Sequence, residues 1–166
     1  MPSIRHIRPC LWFDNQAEEA ANFYVSTFEN SKITQIARYN EVGIEVHGRP
    51  AGSVMTVTFE LDGNEFMALN GGPYFKFNEA ISLEIECDTQ EELDYYWEKL
   101  SAGGDPKAQQ CGWLKDKYGL SWQVVPSVMQ TYFADHNSEK AKRAMAAMLQ
   151  MKKFDIATLD RAVAGK

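Results

Sequence analysis

Apolar and polar residues alternate in short runs along much of this chain, and the clearest run lies near its end. Leu120, Trp122 and Val124 alternate with Ser121, Gln123 and Val125 before Pro126 stops the run. This predicts a strand with one apolar face and a central amide on the other. Upstream, Cys111–Lys115 and a turn at Lys117-Tyr118-Gly119 complete a hairpin, with Gly119 supplying the positive φ of a tight turn. A second hairpin joins Val54–Leu61 to Glu65–Leu69 through Asp62-Gly63. Strands are also predicted over Ile4–Phe13 (interrupted near Pro9), Ile33–Tyr39, Ile81–Cys87 and Lys107–Lys115. Asn40–Gly52, punctuated by Gly43, Gly48, Pro50 and Gly52, reads as a loop or ragged hairpin.

Helical spacing appears twice among these strands. Ala17, Ala20, Ala21, Tyr24 and Phe28 recur with a helical period over Gln16–Phe28, behind a cap at Asp14-Asn15. Glu91–Ser101 repeats the pattern behind Asp88 and ends at Gly103-Gly104. Glu18-Glu19 and Glu91-Glu92 stand 73 residues apart, as do Phe23-Tyr24 and Tyr96-Trp97. One β-α-β-β-β unit therefore occurs twice. The expected divisions are a first module over residues 1–70, a linker over 71–80, a second module over 81–126 and a helical tail over 127–166, all in one compact domain. In the tail, Val128, Met129, Tyr132 and Phe133 form a short stripe. Ala141, Ala144, Met145, Met148 and Leu149 form a longer one, and Asp155 caps a segment with Ile156, Leu159 and Val163. These stripes predict helices docked on the parent domain or on a second subunit.

Composition narrows the partners. A net charge of −6 argues against a nucleic-acid partner, whose phosphates call for clustered Lys and Arg. No apolar run reaches the ~20 residues of a bilayer span. The opening MPSIRHIRP is charged where a leader needs an apolar core, so the cytoplasm is the expected compartment. Cys10, Cys87 and Cys111 are odd in number and lack C-x-x-C spacing, indicating neither a disulfide framework nor a zinc ribbon. His6, His47 and His136 are expected at the surface.

The segments LWFDNQAEEAANFY (Leu11–Tyr24), FMALNGGP (Phe66–Pro73), Ala80–Gly104, CGWLKDKYGLSWQVVP (Cys111–Pro126) and AMLQMKKFDIATL (Ala147–Leu159) together carry a resemblance. The chain resembles the vicinal-oxygen-chelate (glyoxalase/bleomycin-resistance) superfamily, in its PhnB-like branch labelled 3-demethylubiquinone-9 3-methyltransferase. The resemblance implies an α+β fold of two tandem βαβββ modules forming a cupped mixed sheet, with C-terminal helices. It also implies four metal-ligand positions in the metal-dependent members. These fall at Pro9 (or Arg8 with one residue gapped), Met67 or Ala68, Ser82 and Gln123. Only Gln123 has a suitable donor, so no metal and no cofactor are expected.

Strand parity then places Glu84 and Glu86 on the same face as Ser82. Glu84 and Gln123 are the candidate catalytic residues, Glu84 as a general base or a partner for a cationic group. The bland alternative is an exposed glutamate, or one paired with Arg8. Candidate ligand contacts are Arg8, Cys10, Trp12, Asn70, Ser82, Trp113 and Trp122, although large aromatics are commonly core. The methyltransferase label finds no support in the glycines. Gly71-Gly72 opens no helix and Gly103-Gly104 follows one, so neither forms a nucleotide-binding strand–loop–helix unit. The reading is a small-molecule-binding protein or metal-independent enzyme of the PhnB-like family, expected as a homodimer. The alternative is a non-catalytic, ligand-sequestering protein.

Overall fold

The computed structural model describes residues 4–5 and 7–166; His6 and the first three residues of the leader argument lie outside them. The chain divides into two compact units, Met1–Lys76 and Phe77–Lys166. The first holds a four-stranded sheet of β1 (Cys10–Phe13), β2 (Lys32–Arg38), β3 (Val54–Leu61) and β4 (Asn64–Asn70), ordered β1-β4-β3-β2. β1 runs parallel to β4, and the other neighbours are antiparallel. Asp62 and Gly63 both take positive φ, 45° and 74°, the signature of the tight turn predicted there. The ladder begins at Cys10 rather than Ile4. Pro9 has no N–H to give, and only its carbonyl joins in, accepting from Met67 N at 3.0 Å.

Helix α1 (Ala17–Thr27) packs on this sheet. Its Ala17, Ala20 and Ala21 are fully buried, and such small side chains let the helix lie close to Leu11, Phe13, Val57, Phe59, Phe66 and Ala68. Tyr24 stacks on Phe59, and Phe59 on Phe66. The cap expected from Asp14-Asn15 comes instead from the far end of the sheet. Asn70 Oδ1 accepts from Ala17 N at 2.8 Å, a long-range acceptor displacing the local one. Between β2 and β3, a single helical turn, α2 (Ile44–His47), sits between two positive-φ glycines, Gly43 and Gly48. His47 stacks there on Tyr39.

The second unit repeats the plan with three strands, β5 (Leu83–Cys87), β6 (Trp113–Lys115) and β7 (Ser121–Pro126), ordered β5-β7-β6. β5 is parallel to β7 and β6 antiparallel to it. Most of the strand predicted over Lys107–Lys115 is instead a 3-10 turn (Pro106–Ala108) and a bend, with φ of 49° at Cys111 and 79° at Gly112. Asp105 holds that turn by accepting from Lys107 N. Helix α3 (Gln90–Ser101) is capped by Thr89 with a reciprocal box to Glu92, not by Asp88. The Asp88 carboxylate accepts from Ser127 Oγ instead. Leu93, Trp97 and Leu100 bury against the face holding Cys87, Leu114, Trp122 and Val124. Gly104 lies so near the Lys115 carbonyl that no Cβ fits.

The ladders also correct the repeat. The loop from β1 to α1 is one residue longer than the loop from β5 to α3. Helix therefore matches helix at the sequence spacing, while the strands match one residue further on. Leu11 and Phe13 correspond to Ile85 and Cys87, so Ser82 answers to Arg8 rather than Pro9.

The tail belongs to the second unit. It contains α4 (Met129–Tyr132), α5 (Glu139–Met148) and α6 (Ile156–Ala164), the last capped by Asp155 as predicted. Ala141 and Ala144 of α5, and Leu159 and Val163 of α6, are buried. Met145 and Leu149, grouped with them by spacing, are 42% and 52% exposed. The connection from α5 to α6 reaches the sheet, where the Met151 and Lys152 carbonyls accept from Cys111 N at 2.9 Å and Gly112 N at 2.7 Å. Phe154 is buried against Gly112. Gln90 clamps the segment from α3, donating to Phe154 O and accepting from Ile156 N.

Neither sheet is all-parallel. Among the described residues, Gly71-Gly72 opens no helix and Gly103-Gly104 follows α3. Among the described residues, no helix is long and apolar enough to cross a membrane.

Candidate functional site

The side chains with chemistry lie on the sheet faces opposite the helices. In the first unit the register sets them in rows: Cys10, Met67, Thr58 and Gln35, then Trp12, Leu69, Thr56 and Ala37. Ion pairs flank the rows, Arg8 with Glu65 and Lys32 with Glu60. Arg8 is thus paired within its own sheet. Trp12 is fixed on three sides. Its Nε1–H donates to Gly72 O at 2.8 Å, its ring meets the edge of Phe75 at 4.9 Å, and Gly71 lies too close for any side chain. Asn70 sits on the helix side, where both ends of its carboxamide are engaged. Besides capping α1, Asn70 Nδ2 donates to Val54 O at 3.0 Å.

In the second unit, the face opposite α3 gathers the residues singled out from the sequence. Glu84 pairs in register with Gln123, and Gln123 with Trp113. Gln123 Nε2 donates to Ser82 Oγ at 2.9 Å. This fixes the amide and turns its carbonyl oxygen to a different direction. Glu84 stands exposed, without the burial that a general-base reading requires. Glu86 accepts from Gln130. Trp122 is a correction. The same alternation that brings Gln123 to this face sends Trp122 to the other, where it is 2% exposed and its Nε1–H donates to Asp116 Oδ2 at 2.9 Å.

Residues Asp116–Gln123 form a D-x-x-G-x-x-W-Q run, and Asp116 explains its spacing. Its Oδ1 accepts from Tyr118 N at 2.9 Å and Leu120 N at 3.1 Å, while its Oδ2 holds Trp122. One buried carboxylate thereby ties the turn to the strand that follows. Beside β6 the same unit has a cleft of about 400 Å³ lined in part by Glu79, Cys111, Trp113, Lys115 and Ser121. Of these, sequence reasoning named only Trp113 as a ligand contact.

Neither Cys10 nor Cys87 is set up as a nucleophile. Burial pushes the Cys10 thiol up, with Arg8 drawing it partly back. Cys87 is buried and pushed up to about 12, first by desolvation and then by Glu92 and Asp88. A thiol held protonated is a poor nucleophile.

The four superfamily metal positions do not fit a metal. In the first unit they offer a guanidinium or a proline at the first position, and Met67 or Ala68 at the second. In the second unit they offer Ser82 and Gln123, already bonded to each other. Among the described residues, no group of three or more His, Cys, Asp or Glu gathers to replace them.

A sequence profile of the 3-demethylubiquinone-9 3-methyltransferase family matches residues 5–125. The PhnB protein from Bacillus cereus is 39% identical over 74% of this chain and 100% of its own, with a TM-score of 0.62. Protein PA1353 from Pseudomonas aeruginosa is 19% identical over 74% of this chain and 98% of its own, with a TM-score of 0.55, a likeness of fold alone. A glyoxylase/bleomycin resistance protein/dioxygenase domain from Frankia is 14% identical over 74% and 93%, with a TM-score of 0.44. No curated protein matches the chain. The family's name describes a reaction, but the mixed sheets above lack the glycine-loop unit on which methyl transfer usually rides. On the extent of the profile match and its likeness to the Bacillus cereus protein, the chain belongs to the 3-demethylubiquinone-9 3-methyltransferase (PhnB-like) family.

Proposed function

We propose that this chain binds a small organic molecule on the sheet face opposite α3, with Gln123 as the central polar contact. One observation carries the reading: Ser82 fixes the Gln123 amide, beside Trp113 and Glu84 in register. A positioned amide next to an aromatic ring is how a site selects a ligand by hydrogen bond and apolar contact together. Binding is better supported than turnover, since Glu84 stands exposed and burial raises the Cys10 and Cys87 thiols. A metabolite-library thermal-shift screen on the intact chain tests this. Ligands that stabilise the wild type are expected to lose about tenfold in affinity in Gln123→Ala, the worth of one well-placed hydrogen bond. If every such ligand binds the variant unchanged, the site lies elsewhere.

The proposal extends to a homodimer, supported by apolar side chains exposed at Met145 of α5 and at Leu149 just after it. Light scattering at micromolar concentration is expected to give about twice the 18.8 kDa chain mass. A single-chain mass that persists on dilution and concentration alike refutes it.

A further inference from the structure

Resting on that reading, we propose that the cleft beside β6 is a carboxylate site, and that the ligand of this face is a small apolar acid. Lys115 and Ser121 are directly opposite each other in the β6–β7 register. Both side chains therefore leave the sheet on the face that carries Gln123 and Trp113. The cleft they line, about 400 Å³, is the size of a small-molecule site.

Two of its polar lining residues, Ser121 and Lys115, are incompletely satisfied; Gln110 also lines it. Ser121 is 1% exposed, and its Oγ has no hydrogen-bond partner. Folded proteins rarely leave a buried hydroxyl in that state. Lys115 Nζ is held by Glu79 Oε1, but the Glu79 side chain is 64% exposed and lies outside any helix or strand. An ion pair with one partner in solvent is weak and easily exchanged. The rest of the lining is largely apolar, with Trp113, Cys111, Leu114 and Ala108.

An incoming carboxylate takes the place of the Glu79 carboxylate on Lys115. It also gives the Ser121 O–H the acceptor it lacks. A carboxylate bound by an ammonium and a hydroxyl gains two charge-assisted hydrogen bonds. The body of the ligand then lies on the indole of Trp113, toward Gln123. A neutral analogue cannot displace Glu79, and a dianion would meet only one cation. The chemistry selects an apolar monoacid.

Benzoate and benzamide are the probes, titrated by NMR into the isotope-labelled full chain with the Trp113 indole N–H as reporter. Benzoate is expected to bind at least about tenfold more tightly than benzamide, because only benzoate carries the charge. Lys115→Met should weaken benzoate about tenfold or more, and Ser121→Ala should weaken it by a smaller factor. Glu79→Gln removes the competing carboxylate and should tighten benzoate about threefold. That gain separates the proposal from general damage to the fold, which tightens nothing. Equal binding of the two probes, silence toward benzoate, or benzoate weakened by Glu79→Gln each overturns it. The two readings fail separately. Gln123-dependent library ligands with no response to benzoate sink the carboxylate site alone. Lys115-dependent benzoate binding with no Gln123-dependent ligand sinks the amide reading and leaves the cleft.

Discussion

Replacing Asp116 with alanine is expected to cost the fold about 3–5 kcal/mol, the range for removing the acceptor from a buried, charge-assisted network. Asp116 is 2% exposed, and its two oxygens accept from Tyr118 N, Leu120 N and the Trp122 indole. Alanine removes the acceptor of the indole N–H at a residue only 2% exposed. It also removes the side chain that fixes the turn to the strand. Each buried donor left unpaired costs about 1–3 kcal/mol. Asp116→Asn keeps the shape and one oxygen but turns an amide N–H₂ toward a donor, so a loss near half as large is expected. Urea denaturation of both variants measures this. A loss under about 1 kcal/mol for the alanine variant would mean that Gly119 and the β6–β7 ladder hold the turn without the carboxylate.

That network also shows what the D-x-x-G-x-x-W-Q spacing is for. Asp116, Gly119 and Trp122 make the turn and its anchor on the helix side of the sheet. Gln123, one residue beyond the anchored tryptophan, emerges on the other side, as Ser121 does. The motif is a mount for one amide.

Much of the fold was legible because its signals are local. Alternation marked β7, Asp62-Gly63 marked the first hairpin, and helical spacing marked α1 and α3. The misses share one cause: they depend on distant partners or on single-residue phase. Asn70 looked like a ligand contact because nothing nearby in sequence shows that Ala17, 53 positions away, needs its oxygen. Trp122 was counted with the site by its size, although the parity that exposes Gln123 forbids both from sharing a face. The extra residue between β1 and α1 shifted the strand repeat while leaving the helix repeat intact. The cleft beside β6 gave no sequence signal at all. It exists only because register sets Lys115 opposite Ser121 and an irregular segment brings Glu79 to the lysine.

Phe154→Ala should be the most damaging change in the tail, costing about 3–5 kcal/mol, as expected for truncating a fully buried phenylalanine. Phe154 is 1% exposed, and its ring lies against Gly112, at a backbone position where φ is 79° and no side chain has room. The neighbouring carbonyls of Met151 and Lys152 supply acceptors to Cys111 N and Gly112 N, and Cys111 lines the cleft beside β6. The tail lies beyond residues 5–125, which the family profile matches. Its stabilising contacts nonetheless fall at the base of the candidate site. Gln150→Ala is the control, on the same tail but exposed, and should stay within about 0.5 kcal/mol of wild type. Chemical denaturation of the two variants, with benzoate titration of each, separates the effects. Equal stability for both would show that the tail rides on the second unit without supporting it. A large loss confined to Phe154→Ala, with weakened benzoate binding, would show that the tail braces the wall of the cleft.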